Sequence, residues 1–236
     1  MILVMIFTAI NLSNARELIV GISAIRPPFM YVNEKNEIVG FDPEVARTIA
    51  KKMGHTVKFQ NMDFAGLIPS LTTGKIDIII SGLTIKEERK KQINFSIPYN
   101  QDSSNLFVLA NKNYKSINDL KGKKVGAEAG TNQQLYVEDM AKKIGFEAVI
   151  FDKADESFLA FSQEKVDAIV ENKVLGREYA KTGKTKIKSI GGEILISDFG
   201  VGIRKNDEQL LNDINKVIAE MKKSGELKKI RSKYFK

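Results

Sequence analysis

One short pattern occurs twice in this chain, once in each half. The first copy is Gly74-Lys75-Ile76-Asp77-Ile78-Ile79 and the second is Glu164-Lys165-Val166-Asp167-Ala168-Ile169. In both copies a short helix ends and leads into a Lys-apolar-Asp-x-Ile strand. Strands and helices alternate around each copy, and this alternation specifies parallel sheets covered by helices. The repeat therefore predicts two similar α/β lobes, each built as βαβαβ.

The first half supplies five predicted elements, and its apolar run before Ser81 is typical of a strand buried on both faces. Asp42 is the predicted N-cap of the first helix, with Pro43 at the first helical position. The proline in the second helix is expected in its first turn. In order, the elements are a strand over residues 17–22, a helix from 42, a strand over 55–59, a helix over 64–73 and a strand over 76–80.

The second half repeats this order. Thr131-x-x-Gln134 predicts a capping box at the start of its first helix. The elements are a strand over residues 124–127, a helix from 131 to 144, a strand over 148–151, a helix over 157–163 and a strand over 166–170.

Two extended segments, residues 98–110 and 193–204, connect the halves. They predict a two-strand hinge, with the last amphipathic helix returning to the first lobe. We expect the first lobe to comprise residues 16–102 and 198–236, and the second lobe residues 103–197. A ligand is expected in the cleft between the lobes, where the loops after several strands converge.

The amino terminus resembles an export signal. Residues 1–10 are nearly all apolar, and Ser13-Asn14-Ala15 ends in the small residue that a signal peptidase needs. The usual positive residues at the start are missing, and a transmembrane anchor or a buried first strand is the alternative. We expect residues 1–15 to be a signal peptide, so that a soluble exported protein begins near Arg16.

Composition excludes several classes of site. The chain has no cysteine and a single histidine, His55, which has no partner for a triad or a metal site. The net charge of +8 comes from basic residues scattered among acidic ones, which favours a solvated surface over a nucleic-acid interface. We therefore expect no cofactor, no metal, no catalytic residue and no nucleic-acid partner.

The stretch from Asp77 to Arg89 predicts a binding site. A buried strand ends at Ser81-Gly82, and Thr84-x-x-Glu87 has the spacing of a capping box that opens a helix. Backbone N–H groups, two hydroxyls and the guanidinium of Arg89 at the carboxyl end of a strand suit a carboxylate. An ordinary strand-to-helix loop with a surface arginine is the alternative on this stretch alone.

Six motifs in order make the chain resemble the periplasmic polar amino-acid-binding proteins of ABC importers over essentially its whole mature length. They are Val39-Gly40-Phe41-Asp42, Leu67-Ile68-Pro69-Ser70-Leu71, Gly74-Lys75-Ile76-Asp77, Thr84-x-x-Glu87-x-Arg89, Val125-Gly126 and Gly130-Thr131. The resemblance implies the two-lobed type II periplasmic binding fold, a free amino acid as ligand and an ABC transporter permease as partner. It also implies a monomer located in the periplasm.

The resemblance also assigns roles to individual residues. Arg89 would bind the ligand α-carboxylate in a bidentate fork, with the amide near Gly82 directed at the same group. Ser81 and Thr84 would receive the α-ammonium. Thr131 and Asn132, at a helix start, would donate to the carboxylate, and Phe64 would pack on the ligand side chain unless it is a core residue.

Four positions bear on which amino acid binds. Asn172 stands where the family usually places an aspartate against the α-ammonium, so this position brings no charge. Arg26 stands where many members have an aromatic residue, and it is expected to stack on the ligand, to pair with an acidic side chain or to face solvent. Ser23 occupies a position that is acidic in some binders of basic amino acids, which argues against arginine, lysine or ornithine. Glu128 is expected to compensate in part.

An enzyme is the second hypothesis, because the same lobes resemble those of cyclohexadienyl dehydratases. Glu171 beside Asn172 is the feature that invites it, since a buried carboxyl group with a raised pKa is suited to act as a general acid. A sensory ligand-binding domain, which would need a fused membrane or signalling segment, is the third.

Overall fold

The computed structural model describes residues 15–182 and 185–235, so the predicted signal peptide lies almost entirely outside the described residues. The first part of the chain contains seven strands, three α-helices and a 3₁₀ turn over Phe64–Gly66. In order they are β1 (Glu17–Ile22), β2 (Ile25–Arg26), β3 (Met30–Val32), β4 (Ile38–Val39), α1 (Phe41–Lys52), β5 (Thr56–Asn61), α2 (Leu67–Thr72), β6 (Ile78–Ile79), α3 (Glu87–Lys90) and β7 (Asn94–Phe95).

The remainder begins with a long strand and ends with two helices. A 3₁₀ turn over Ile117–Leu120 follows the first strand. The elements are β8 (Asn100–Leu109), β9 (Lys124–Glu128), α4 (Asn132–Ile144), β10 (Glu147–Phe151), α5 (Ala154–Ser162), β11 (Ala168–Asn172), α6 (Lys173–Thr182), β12 (Ile187–Phe199), β13 (Gly202–Ile203), α7 (Glu208–Lys223) and α8 (Glu226–Tyr234).

Two five-stranded sheets form the two lobes, which confirms the predicted fold. The first has the order β5-β1-β6-β13-β7 and the second the order β10-β9-β11-β8-β12, with a small sheet β2-β3-β4 beside them. Within each, the βαβαβ strands run parallel, whereas β8, β12 and β13 are antiparallel to their neighbours. Strands β8 and β12 therefore make the second sheet mixed, and β13 makes the first sheet mixed.

Strands β8 and β12 pair with each other along the crossing between the lobes. Their register runs from Asn100 opposite Phe199 to Leu109 opposite Ile187, with irregularities near Glu193. The predicted lobe boundaries at 102/103 and 197/198 fall inside these two strands. Helices α7 and α8 pack against the first sheet, where Ile214 and Ile218 share one apolar core with Val20 and Ile22.

Asp42 does not cap α1. The helix begins at Phe41 and its N-cap is Gly40, whose φ of 122° places the backbone where a side chain would meet the carbonyl of Phe29. The Asp42 carboxylate instead accepts hydrogen bonds from the backbone N–H of Gly82 at 2.6 Å and from the hydroxyl of Tyr99 at 3.0 Å. The Asp42 carboxylate therefore binds a backbone N–H that is distant in sequence and does not cap its own helix. This hydrogen bond holds the loop after β6 in place.

The predicted capping box at Thr84 is also wrong. Helix α3 is a single turn whose N-cap is Lys86, with no hydrogen bond from a capping side chain. Thr84 forms an isolated antiparallel bridge with Phe199, so its backbone is extended rather than turning into a helix. At the second predicted box, Thr131 does cap α4 by accepting from the Gln134 N–H at 3.1 Å.

Helix α6 was not predicted. It follows β11 directly, and the side-chain oxygen of Asn172 accepts from the backbone N–H groups of Val174 and Leu175 at 2.9 and 3.2 Å. Asn172 therefore occupies the capping position of a helix. None of the helices in the described ranges is long and apolar enough to cross a membrane.

Candidate functional site

The predicted site residues come together in the cleft between the two sheets. The cavity there has a volume of about 30 Å³, because side chains from both lobes meet across it. Residues from the first lobe, the second lobe and the crossing strands all line it: Arg26, Phe64, Gly82, Thr84, Arg89, Asp102, Ser103, Thr131, Asn132, Glu171 and Asn172 are among them. Ser81 and Glu128 lie behind this wall and are buried.

Arg89 crosses the cleft from α3. Its side chain is buried, with the residue 5% exposed, and it donates to the carbonyl of Thr84 at 3.0 Å and to that of Gly130 at 2.6 Å. Burial, together with the charge of Arg26, lowers the pKa of Arg89 to about 10, so it remains charged at neutral pH. A buried guanidinium with unused N–H donors in a cleft is suited to bind a carboxylate.

Hydrogen bonds on the side away from the cleft fix the loop after β6. The backbone N–H of Ser23 donates to the Ser81 hydroxyl at 3.0 Å, and the Gly82 N–H donates to Asp42. The N–H of Gly82 itself therefore does not point to the ligand carboxylate, whereas the predicted role of the amide near Gly82 stays a prediction, and Gly82 lines the cavity. The Thr84 hydroxyl makes no hydrogen bond to the described residues.

The start of α4 forms the opposite wall. The Thr131 hydroxyl donates to the carbonyl of Glu128 at 2.6 Å while it caps the helix. The Asn132 amide lies 3.5 Å from the Ser197 hydroxyl, and Gln133, which sequence reasoning missed, donates to Ser104 at 2.9 Å. The N-terminus of this 13-residue helix thus points its positive end into the cleft.

Arg26, Phe64 and Glu128 make a second cluster. Arg26 forms an ion pair with Glu128, which is 2% exposed, and its guanidinium carbon lies 5.0 Å from the centre of the Phe64 ring. Burial lowers the pKa of Arg26, while the charges of Glu171 and Asp42 raise it. Of the three expectations for Arg26, the solvent-facing one is wrong, since its side chain is only 12% exposed.

Acidic groups surround the position of Asn172. Glu171 is buried and accepts from the backbone N–H of Asn172 at 2.7 Å, and burial raises the pKa of its carboxyl, opposed by the charge of Arg26. Asp102, on β8, also lines the cavity and was not predicted. A single acidic residue within the polar run from Asn100 to Asn105 was the only sequence signal for it.

No group of three or more histidine, cysteine, aspartate or glutamate residues suited to a metal ion occurs among the residues that the structure describes. The cleft offers instead two cations, a helix N-terminus, an aromatic ring and several carboxylates. This set can bind a small zwitterion that also carries a polar side chain.

Comparison with known proteins gives one consistent family. The model of the bacterial extracellular solute-binding proteins, family 3, matches residues 18–236. The ABC transporter arginine-binding protein 1 of Escherichia coli (strain K12) is 34% identical over 228 residues, covering 94% of this chain and 92% of that protein.

Solved structures agree over nearly the whole chain. An ancestral arginine-binding protein bound to arginine is 41% identical with a TM-score of 0.88, covering 93% of this chain and 98% of that one. The same identity is found for an ancestral arginine-binding protein bound to glutamine, with a TM-score of 0.87, covering 93% of this chain and 97% of that one.

Proposed function

The chain belongs to the bacterial extracellular solute-binding proteins of family 3, and we propose that it captures free arginine in its cleft and presents it to an ABC importer. It is a binding protein and not an enzyme, so the dehydratase hypothesis for Glu171 is set aside. The resemblance stated from the sequence is confirmed at the level of the family. We further propose that the protein acts in the periplasm as a monomer.

The carboxylate of the ligand binds between Arg89 and the start of α4 in this proposal. Arg89 supplies N–H donors from the first lobe, and Thr131 and Asn132 stand at a helix N-terminus in the second. A carboxylate between them would bridge the lobes, because Arg89 already reaches the carbonyl of Gly130 across the cleft. Charge-assisted bonds of this kind are about twice as strong as neutral ones.

The side-chain subsite carries the assignment to arginine. The Phe64 ring and the buried carboxylate of Glu128 already hold one guanidinium, that of Arg26. A planar cation that stacks on a ring and pairs with a carboxylate is what arginine offers and lysine does not. The acidic position lost at Ser23 is therefore supplied by Glu128.

A ligand guanidinium would add a second cation to a buried cluster in which Arg26 alone faces the carboxyl groups of Glu128 and Glu171. The ligand would take the place beside Glu128, and Arg26 would shift toward Glu171, whose charge already acts on it. Neither carboxylate would then be left unpaired in the closed cleft, which would otherwise cost several kcal/mol.

Calorimetry on protein that has been unfolded and refolded to remove bound ligand tests this proposal. The titrants are arginine, citrulline, lysine, ornithine, glutamine, histidine, cystine and glutamate. We expect arginine to bind at least roughly 10-fold more tightly than citrulline, its uncharged isostere, because citrulline gives Glu128 no charge to pair with.

Glu128→Gln supplies the matched control, since it keeps the shape of the side chain and removes its charge. This variant should lose affinity for arginine and keep its affinity for citrulline. Equal binding of arginine and citrulline by the unmodified protein, or tightest binding of glutamate, would contradict the assignment.

A further inference from the structure

We propose that Asp102, on the crossing strand β8, is the carboxylate that receives the α-ammonium of the bound amino acid, and that Asn172 is not its acceptor. The inference rests on the proposed function, because it assumes an amino acid in the cleft. It does not depend on which side chain that amino acid carries.

A buried ammonium group needs an anion beside it. Moving a charged group out of water is costly unless it is paired and hydrogen-bonded. Arg89 and the start of α4 are already positive, so the ligand carboxylate has partners and the ammonium is the group whose partner must be found.

Asn172 cannot readily serve this purpose. Its side-chain oxygen accepts from the N–H groups of Val174 and Leu175, which leaves little capacity for a third donor. Its own amide N–H₂ group is a donor and repels an ammonium. The residue acts as the cap of α6.

The other carboxylates of the cleft are less suited to the ammonium. Glu128 forms an ion pair with Arg26 and is not among the residues that line the cavity, although neither of its oxygens accepts a hydrogen bond from the described residues. Glu171 accepts from the backbone N–H of Asn172 and is already close enough to Arg26 for that charge to lower its pKa. Asp42 lies outside the cavity wall and accepts from Gly82 and Tyr99.

One carboxylate oxygen of Asp102 has no hydrogen-bond donor among the described residues. Asp102 is 9% exposed and lines the cavity beside Ser103 and Asn172. Its Oδ1 accepts from the Ser103 N–H at 2.7 Å, whereas its Oδ2 is buried and has no hydrogen-bond partner within the described ranges. Burial raises the pKa of the Asp102 carboxyl, and the Ser103 N–H and, after it, the Asn172 side chain oppose this shift.

The two cations whose charges act on Asp102 are bound to other side chains. Arg231 donates to the side chain of Asn100, and Lys173 pairs with Glu193. The charges of both act on Asp102 only at a distance. A buried carboxylate without an ion pair, facing the space where a zwitterion would lie, is a suitable acceptor for the ammonium.

Calorimetry with arginine and 5-guanidinopentanoate tests the assignment, because the second compound lacks only the α-ammonium. Asp102→Asn should weaken arginine binding by roughly 10- to 100-fold, the usual range for loss of one charged hydrogen bond. The affinity for 5-guanidinopentanoate should be unchanged or higher, which also demonstrates that the variant is folded.

Two control variants sharpen the result. Asp198→Asn removes an exposed carboxylate from the neighbouring strand, where it accepts from the side chain of Gln101, and should leave both affinities unchanged. Asn172→Ala should still bind arginine much more tightly than 5-guanidinopentanoate. The inference is overturned if Asp102→Asn binds arginine like the unmodified protein, or if Asn172→Ala alone abolishes the preference for arginine.

Failure of the proposed function would look different. If the unmodified protein binds another amino acid and not arginine, the side-chain assignment fails, and the same comparison is made with that amino acid and its des-amino analogue. If it binds no amino acid at all, the proposed function fails and this inference fails with it.

Discussion

Arg26 and Glu128 form a buried ion pair across the cleft, Arg26 from the short strand β2 and Glu128 from the end of β9 in the second lobe. The pair connects the two lobes. It also occupies the subsite, beside Phe64, that we assign to the ligand guanidinium. In this proposal the guanidinium of Arg26 and that of the ligand compete for the same position beside Glu128 and Phe64.

Removing this competitor should strengthen arginine binding. Arg26→Ala frees the Glu128 carboxylate, so a ligand guanidinium no longer has to displace another one, and we expect affinity to rise by roughly 10-fold or more. Titration calorimetry on refolded protein measures the change. Arg47→Ala is the control, because Arg47 also lies over a ring, that of Phe59, but is exposed and outside the cleft. Weaker arginine binding by Arg26→Ala would contradict competition and indicate a direct contact.

Arg89→Lys should weaken the binding of the ligand carboxylate. Lysine keeps the positive charge but loses the planar fork that donates to Thr84 and Gly130 and, in the proposal, to the ligand. We expect a loss of roughly 10- to 100-fold for arginine. The loss should be much smaller for argininamide, which has no carboxylate.

Comparing the two ligands separates loss of the carboxylate contact from general damage to the site. Arg47→Lys should change neither affinity. An equal loss for arginine and argininamide would show that Arg89 supports the fold of the cleft and does not read the carboxylate.

Asp42 should make stability depend on pH. Burial raises the pKa of its carboxyl from 3.8 to about 7, although hydrogen bonds from Gly82 and Tyr99 oppose the shift. A folded-state pKa above the unfolded value means that the contribution of Asp42 to stability is fully present below pH 3.8 and is lost as the pH rises to about 7.

The difference in unfolding free energy between the unmodified protein and Asp42→Asn isolates this contribution, because all other groups titrate in both. Between pH 4 and 7 the unmodified protein should lose stability relative to the variant by up to about 1.4 kcal/mol per pH unit. Urea unfolding at a series of pH values measures it. A difference that is constant, or that grows in favour of the unmodified protein as the pH rises, would refute the shift.

Gly176→Ala should destabilise the second lobe. A Cβ atom at this position in α6 would lie 2.1 Å from the Phe107 ring, so the ring or the helix must move. Overpacking of this kind typically costs about 1–3 kcal/mol, more than the gain in helix propensity.

Gly66→Ala is its matched control, since a Cβ there meets nothing within 4 Å and the backbone φ of −80° suits any residue. Urea unfolding should show Gly66→Ala unchanged or slightly more stable. If both variants unfold at the same urea concentration, the close packing of α6 on β8 is not as the structure has it.

The sequence predicted the lobes because its signals there are local and repeated. The run around Ile78 and Ile79 and the second Lys-apolar-Asp-x-Ile segment are buried strands whose hydrophobicity shows in any short window. Gly145, just after α4, adopts the left-handed conformation expected at a helix end. Arg89 and Thr131 were predicted as site residues because they belong to short contiguous motifs, whereas Phe64 was predicted from the family resemblance.

Side-chain partners that are distant in the chain could not be predicted in the same way. Asp42 has the sequence of a helix cap, but its carboxylate binds Gly82, forty residues later. Asn172 was expected to meet a ligand; it lines the cavity, and its side chain also caps α6, a helix that was not predicted.

The sequence by itself determined the family and the two-lobed architecture, since these depend on residue types in a fixed local order, and it also singled out Arg89, for which carboxylate binding remains a prediction. Only the tertiary structure decided which polar side chains meet in the cleft: Arg26 with Glu128, and Asp102 beside the neutral amide of Asn172. The physical reason is that ion pairing depends on distance in space and on burial, and the fold brings β2 together with β9, and β8 together with β11, from separate parts of the chain.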